Sequence, residues 1–300
     1  MREPRLGDRT AALLTRCTFP RAGSAVTCAV SGGPDSMAML ALATAADCIV
    51  TAIHVDHGLR PGSAAELEVV AMAAERFGAA FVSKRVDIEP GANLEARART
   101  ARRSALPADA LLGHTADDQA ETVLLNMLRG AGIEGLAGMR ADRRPILSLR
   151  RWETHRLCME LGLDVVDDPT NRDPAFRRNR VRHELVPLLD DIADRDVTPL
   201  LARQARIFRD VADELERQAD EIDPADAPAL TRVSHAVACQ AVRGWLRDCS
   251  DELHPPDAAT VERVLAVAAG DIKATEIGAG WRIERHSQRL VLVPPARPLS

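Results

Sequence analysis

Three short polar clusters carry the residue types that could do chemistry, and each follows an apolar run. The first is Ser31-Gly32-Gly33-Pro34-Asp35-Ser36, set between the apolar stretches 26–30 and 37–46. Glycines there let backbone N–H groups turn inward, and the N-terminus of a following helix adds partial positive charge. The segment therefore reads as an anion cradle. It matches neither the Walker pattern GxxxxGK(S/T) nor the dinucleotide pattern GxGxxG. With no lysine, Ser31, Ser36 and the amides must cradle phosphates, while Asp35 could hold Mg2+. An ordinary strand-to-helix turn, with Asp35 or Ser36 as helix cap, is the structural alternative.

The second cluster is HVDHGLR, residues 54–60, beginning with His54. The third is GHTADDQAET, residues 113–122, with Gly113 and His114 followed by Asp117, Asp118 and Glu121. On a helix Asp117 and Glu121 share one face at i and i+4, and Asp118 and Thr122 the adjacent one. Acids in a first helical turn also complement the helix dipole, so Asp117 and Asp118 have a structural reading too. Three polar clusters at three strand tips of one sheet favour a common site.

The elements that would position them follow from hydrophobic pattern. Residues 1–19 read as an amphipathic helix, and 26–30, 48–55, 80–86 and 110–113 as strands. Helices are expected at 37–46, 63–77, 94–105 and 116–128, with Gly78 as a C-cap. Strands alternating with helical segments imply parallel βαβ units and a doubly wound α/β sheet, with its ligand site beyond the carboxyl ends of the strands. Glycines at 130, 132, 135 and 138 make that stretch a mobile loop by composition. Residues 145–190 are mixed, 197–269 are helical with a break at 223–228, and 272–293 suggest a small hairpin. The expected organisation is a catalytic domain over 1–190 and a smaller, mainly helical domain over 191–300.

Bulk composition narrows the class. The 300 residues are 46% hydrophobic and 28% charged, which suits one or two soluble domains. No apolar run could span a bilayer, and the charged N-terminus is a poor secretory signal, so no membrane role and a cytoplasmic location are expected. The six cysteines form no CxxC, which argues against a structural zinc site. Net charge is −5, yet residues 140–183 hold eleven arginines against seven acids. That basic segment suits nucleic acid, or equally a solvated charged face.

The loop SGGPDS after a first strand resembles the PP-loop family, whose members cleave ATP between the α and β phosphates and adenylate a substrate. Within it, HVDHGLR, NLEARARTAR, GHTADDQAETVLLNMLRGAGIEGLAGM and DDPTNRDPAFRRNRVRHELVPLL together resemble the tRNA(Ile)-lysidine synthases. The blocks run in that family's order from residue 31 to 189, and the remainder is similar only loosely. Arg103 stands where the family usually has an aromatic residue, and Thr170-Asn171-Arg172-Asp173 replaces SNxD.

The resemblance implies an adenine nucleotide alpha-hydrolase-like fold and ligation of L-lysine to C2 of the wobble cytidine in a CAU-bearing isoleucine tRNA, through an adenylated cytidine. ATP and Mg2+ would be needed, and a homodimer is one assembly to expect. Residues 31–36 would cradle pyrophosphate with Asp35 on the metal, and His54, Gly113 and His114 would border the nucleotide. Arg97, Arg99 and Arg102 could neutralise phosphate or AMP charge. Asp117, Asp118 and Glu121 are candidates to hold the lysine ammonium or a second metal, and one carboxylate or a water must accept its proton. Asn171, Arg178, Asn179 and Arg182 suit RNA contact, with a solvated helix face as the alternative. A PP-loop tRNA thiolase would be expected to carry paired cysteines. A non-catalytic nucleotide-binding module would leave the acidic and Arg/Asn blocks unexplained.

Overall fold

A computed structural model describes residues 7–56, 63–86, 104–249 and 256–295. The chain divides into two compact units, Met1–Ile207 and Phe208–Ser300. The division falls beyond residue 190, within the helix that spans Thr198–Asp220.

The first unit is built on four parallel strands: β1 (Ala25–Ala29), β2 (Ile49–Asp56), β3 (Ala80–Arg85) and β4 (Leu111–Leu112), in the order β3-β2-β1-β4. The register runs Ala25 beside Ile49 to Ala29 beside Ile53, with Cys28 beside Leu111 on the other flank. The sheet grows from β1 through β2 to β3, and the chain then crosses back to place β4 on the far side of β1. That reversal makes a switch point between β1 and β4, where loops leaving the carboxyl ends part and a crevice opens. The segments leaving these two strands are 30–33 and 113–115.

Helix α1 (Asp8–Leu14) precedes the sheet, and α2 (Pro34–Ala45) follows β1 with Gly33 at its N-cap and Pro34 in its first turn. Proline suits that place because its missing N–H has no helical partner there. Ser36 through Ala43 are all buried. A helix apolar on every side belongs inside a core, and α2 packs on β1, β2, α1 and a later helix over Arg151–Glu160. Helix α3 (Ser63–Arg76) covers β2 and β3.

Helix α4 (Ala116–Leu128) spans the expected residues. After it, the glycine-rich stretch is ordered rather than a mobile loop. It contains the short helix α5 (Ile133–Leu136), and side chains of α4 fasten it. Gln119 bonds the carbonyls of Ala137 and Met139 and the amide of Met139, while Asn126 donates to the Gly135 carbonyl at 2.8 Å. Residues 145–190 resolve into α6 (Arg151–Glu160), a 3-10 turn (Pro169–Arg172), α7 (Arg177–Arg180), a π-helical turn (Val181–Leu185) and α8 (Val186–Ala193). Helix α9 spans Thr198–Asp220.

In the second unit, α12 (Ala258–Ala269) packs on an antiparallel sheet, β5 (Ala274–Gly278), β6 (Trp281–His286) and β7 (Arg289–Val293), and α10 (Ala227–Arg232) and α11 (His235–Cys249) pack on α12. The terminal hairpin is thus a three-stranded meander. Leu230, Val242, Leu246, Val261, Val264, Val267, Ile283 and Leu290 form its core.

Candidate active site

The segment after β1 is folded by its own hydroxyls. Ser36 Oγ donates to the Gly33 carbonyl at 2.8 Å and accepts from the Ser31 amide at 3.1 Å, with Ser31 Oγ 3.2 Å away. Gly32 has φ +87°, and an added Cβ would sit 2.7 Å from Val166 Cγ2. The Val166 amide donates to the Gly32 carbonyl at 2.9 Å, so the strand-like stretch after α6 lines this turn. Gly113 closes the other side. A Cβ on it would meet Ser36 Cα at 2.9 Å and Asp35 O at 3.0 Å, so the tip of β4 touches the turn backbone to backbone. Of the nine described candidates for the nucleotide, His54 meets the base of the turn, at the residue before Ser31. It is buried in β2, its Nδ1 2.9 Å from the Val30 carbonyl, holding two strand ends together. His114 Nδ1 accepts from Arg144 Nε at 3.2 Å.

Asp35 opens α2 and faces α6. It accepts from Thr154 Oγ1 and lies 3.5 Å from Arg151 Nε. Burial and the neighbouring Asp118 push its carboxyl up to about 6, against the opposing pull of Thr154 and Arg151. A half-buried carboxyl beside a second acid is short of positive charge, and an oxygen donor of this kind fits a hard divalent cation such as Mg2+.

Asp118 is held in the opposite sense. Burial alone would raise it, but Arg151, Arg178, His114 and the Thr115 amide outweigh that and bring it down to about 2. One of its oxygens accepts from the amide of the N-cap residue Thr115 at 2.8 Å and from its hydroxyl at 3.0 Å, closing a capping box at the start of α4. The other accepts from Arg151 and Arg178, each at 3.0 Å. Glu121, one turn along, keeps only 2% of its side chain exposed and receives three guanidiniums: Arg151 at 3.0 Å, Arg178 at 2.7 Å and Arg182 at 2.7 Å. Asp117 accepts from the Arg151 amide at 2.7 Å and from the Arg150 guanidinium at 3.1 Å, and Arg150 also pairs with Asp196. Four carboxylates of the site thus face four arginines. Arg151 is central, with burial working against its charge and Asp118, Glu121, Asp35 and Asp117 holding it on.

The structure therefore brings Asp35, Asp117, Asp118, Glu121, Arg178 and Arg182 to one cluster beside the 31–36 turn. Arg178 and Arg182 are not on a solvated face; both are half-buried against α4. Asn179 is buried and donates to the carbonyls of Thr170 at 2.7 Å and Asp173 at 2.9 Å, fixing the turn that presents exposed Asn171. Arg97, Arg99 and Arg102 lie outside the described residues, as does HGLR of the second cluster. Sequence reasoning missed Arg150, Arg151 and Thr154. Glu153 accepts from the Arg150 amide at 2.8 Å at the start of α6, but arginine offers no side-chain acceptor to complete a capping box, so the local sequence carried little signal.

Comparison with known proteins bears on this arrangement. A PP-loop domain family model matches residues 7–189. A tRNA(Ile)-lysidine synthase of Nocardia farcinica is 42% identical over 77% of this chain and 78% of its own length. That of Thermobifida fusca is 38% identical over 88% of this chain and 86% of its own. Among solved structures, the U34-tRNA thiolase NcsA from Methanococcus maripaludis matches with a TM-score of 0.53 at 17% identity, covering 67% of this chain and 79% of that one, a likeness of fold alone. A domain match over more than half the chain, and relatives this similar along most of it, place the chain in the tRNA(Ile)-lysidine synthase family of PP-loop proteins.

Proposed function

We propose that this chain joins L-lysine to C2 of the wobble cytidine in the CAU anticodon of tRNA(Ile), consuming ATP and releasing AMP and pyrophosphate. The observation that carries this reading is the buried Asp118–Glu121 pair at the tip of β4, neutralised by arginines and set beside the 31–36 turn. A phosphate cradle and a cation-binding acidic pair are the two things such a ligation needs side by side.

The chemistry has two steps. Oxygen O2 of cytosine attacks the α-phosphorus of ATP and pyrophosphate leaves. The lysine ε-amine then attacks C2, O2 departs with AMP, and the proton lost by the amine passes to a carboxylate or water. Residues 31–36 hold the phosphates with amides and hydroxyls already oriented, which lowers the barrier where charge develops. Asp35 would hold Mg2+, which when bound would neutralise phosphate charge. Asp118 and Glu121 hold the ammonium and leave the amine, once deprotonated, near C2. Asp117 fixes the N-terminus of α6 and with it Arg151.

In the structure guanidiniums occupy the carboxylates that lysine would use. Arg178 and Arg182 must therefore turn away for lysine to bind, and tRNA phosphates are what would draw them. The unit Phe208–Ser300 would supply further tRNA contact, and a homodimer is compatible with this scheme without being required.

The test is retention of labelled lysine on a transcript with a CAU anticodon, given ATP and the purified chain. Incorporation that needs ATP and is lost when the wobble base is changed supports the reading. ATP-dependent sulfur transfer to the transcript, or nucleotide binding with no turnover, would replace it with a thiolase or a binding module.

A further inference from the structure

The second unit carries a donor cluster that the ligation does not use. His235 and Cys239 stand one turn apart on α11, and α12 brings Glu262 beside them. His235 Nε2 lies 3.0 Å from Glu262 Oε1 and 3.4 Å from Cys239 Sγ, and all three donor atoms fall within 4.8 Å of one another. With Zn–S near 2.3 Å and Zn–N or Zn–O near 2.0–2.1 Å, a tetrahedral ion sets its ligand atoms about 3.4–3.6 Å apart. The His235–Cys239 separation matches that edge, the His235–Glu262 one is slightly shorter, and the Cys239–Glu262 one falls within 4.8 Å.

The supporting elements are rigid. Ala238, Ala241 and Val242 of α11 and Val261 and Val264 of α12 are buried in one core, so the helix faces that present the ligands are fixed. Ligands on packed helices lose little freedom on binding. The donor chemistry is selective as well. One imidazole, one thiol and one carboxylate favour zinc and its neighbours over Mg2+ or Ca2+, which prefer oxygen alone. The thiol binds a metal as thiolate, so its proton passes to solvent when the ion enters.

We propose that His235, Cys239 and Glu262 form a zinc-class divalent metal site, with three protein ligands and a fourth position open to water, that clips α11 to α12. It is separate from the ligation chemistry and does not depend on it.

Cobalt titration of the full chain tests this, since a thiolate on Co2+ gives a charge-transfer band and tetrahedral Co2+ a strong visible spectrum. One equivalent should produce both, Zn2+ should bleach them, and Mg2+ should not. Cys239→Ser should abolish the charge-transfer band, and His235→Gln or Glu262→Gln should weaken binding at least about tenfold. Zn2+ should raise the Tm of the parent chain but not of Cys239→Ser. His235 and Glu262 are exposed and Cys239 is half-buried, and metal-free melting of each variant confirms folding. No band in the parent chain, or an unchanged band in Cys239→Ser, overturns the site and leaves an ordinary helix-to-helix ion pair.

Discussion

Arg178 reaches across 57 residues of chain to set its Nε 2.7 Å from a carboxylate oxygen of Glu121, a side chain that is almost wholly buried. Arg182 and Arg151 bind the same group. A lysine ammonium and these guanidiniums therefore compete for one carboxylate. If tRNA phosphates recruit Arg178 and Arg182, the vacated acid binds lysine more tightly. Calorimetry of lysine with and without a CAU transcript should show a gain of about 5–150-fold, with a reciprocal gain for tRNA when lysine is present. Equal lysine affinity in both titrations would separate the two sites.

Neutralising both arginines tests the same relationship from the RNA side. Arg178→Ala with Arg182→Ala should reduce the magnitude of the log-log salt slope of tRNA binding by about 0.7–0.9 per lost phosphate contact. It also strips two of three partners from a buried carboxylate, so stability should fall by about 1–3 kcal/mol in urea unfolding. ATP affinity should change little. An unchanged salt slope with the stability loss intact would confine both residues to neutralising Glu121.

Asp35 gives a pH-dependent prediction. Its folded value of about 6 lies above the ordinary 3.8, so the folded chain holds this proton more tightly than the unfolded one. Stability from this group is full below 3.8 and is lost as pH rises through about 6. Asp35→Asn removes the charge and should be more stable than the parent at neutral pH by about 1–3 kcal/mol, with chelator present and no nucleotide. The gain should vanish below about pH 4, where both side chains are neutral. The same variant should lose lysidine formation. A variant less stable than the parent at neutral pH would show that the buried charge is compensated some other way.

Gly32→Ala should damage the phosphate turn without touching any acid. The residue would keep a φ of +87° with a Cβ 2.7 Å from Val166, costing about 1–2 kcal/mol in left-handed strain alone. The KM for ATP should rise at least about tenfold while lysine KM holds. An unaltered ATP KM in a folded Gly32→Ala protein would mean that the turn does not touch nucleotide.

The sheet and its polar tips were legible because their signals are local. Glycines, a proline and apolar runs mark the turn at 31–36, and Ala116–Leu128 shows helix composition bounded by Thr115. What was not legible depends on distance along the chain. Arg151 meets Asp118 and Asp35 from far outside any local window, and its helix lies in a stretch too charged to show a face. Arg178 and Arg182 read as RNA-contact residues or a solvated face because nothing nearby in sequence announces Glu121. The glycine-rich stretch after α4 read as mobile because Gln119 and Asn126 order it through backbone bonds that composition does not encode. His235 and Cys239 went unread as a pair because their third partner sits on another helix.

The central claim is that ATP activates the cytidine before lysine attacks it, and that Glu121 serves only the second step. Its most direct measurement is a quench of Glu121→Gln and parent protein with α-phosphate-labelled ATP and a CAU transcript, with and without lysine. The parent should leave label on the tRNA when lysine is withheld and release it as AMP when lysine is added. Glu121→Gln should retain label on the tRNA in both cases, with partial release at high lysine. Label that never joins the tRNA in the parent protein would contradict the account.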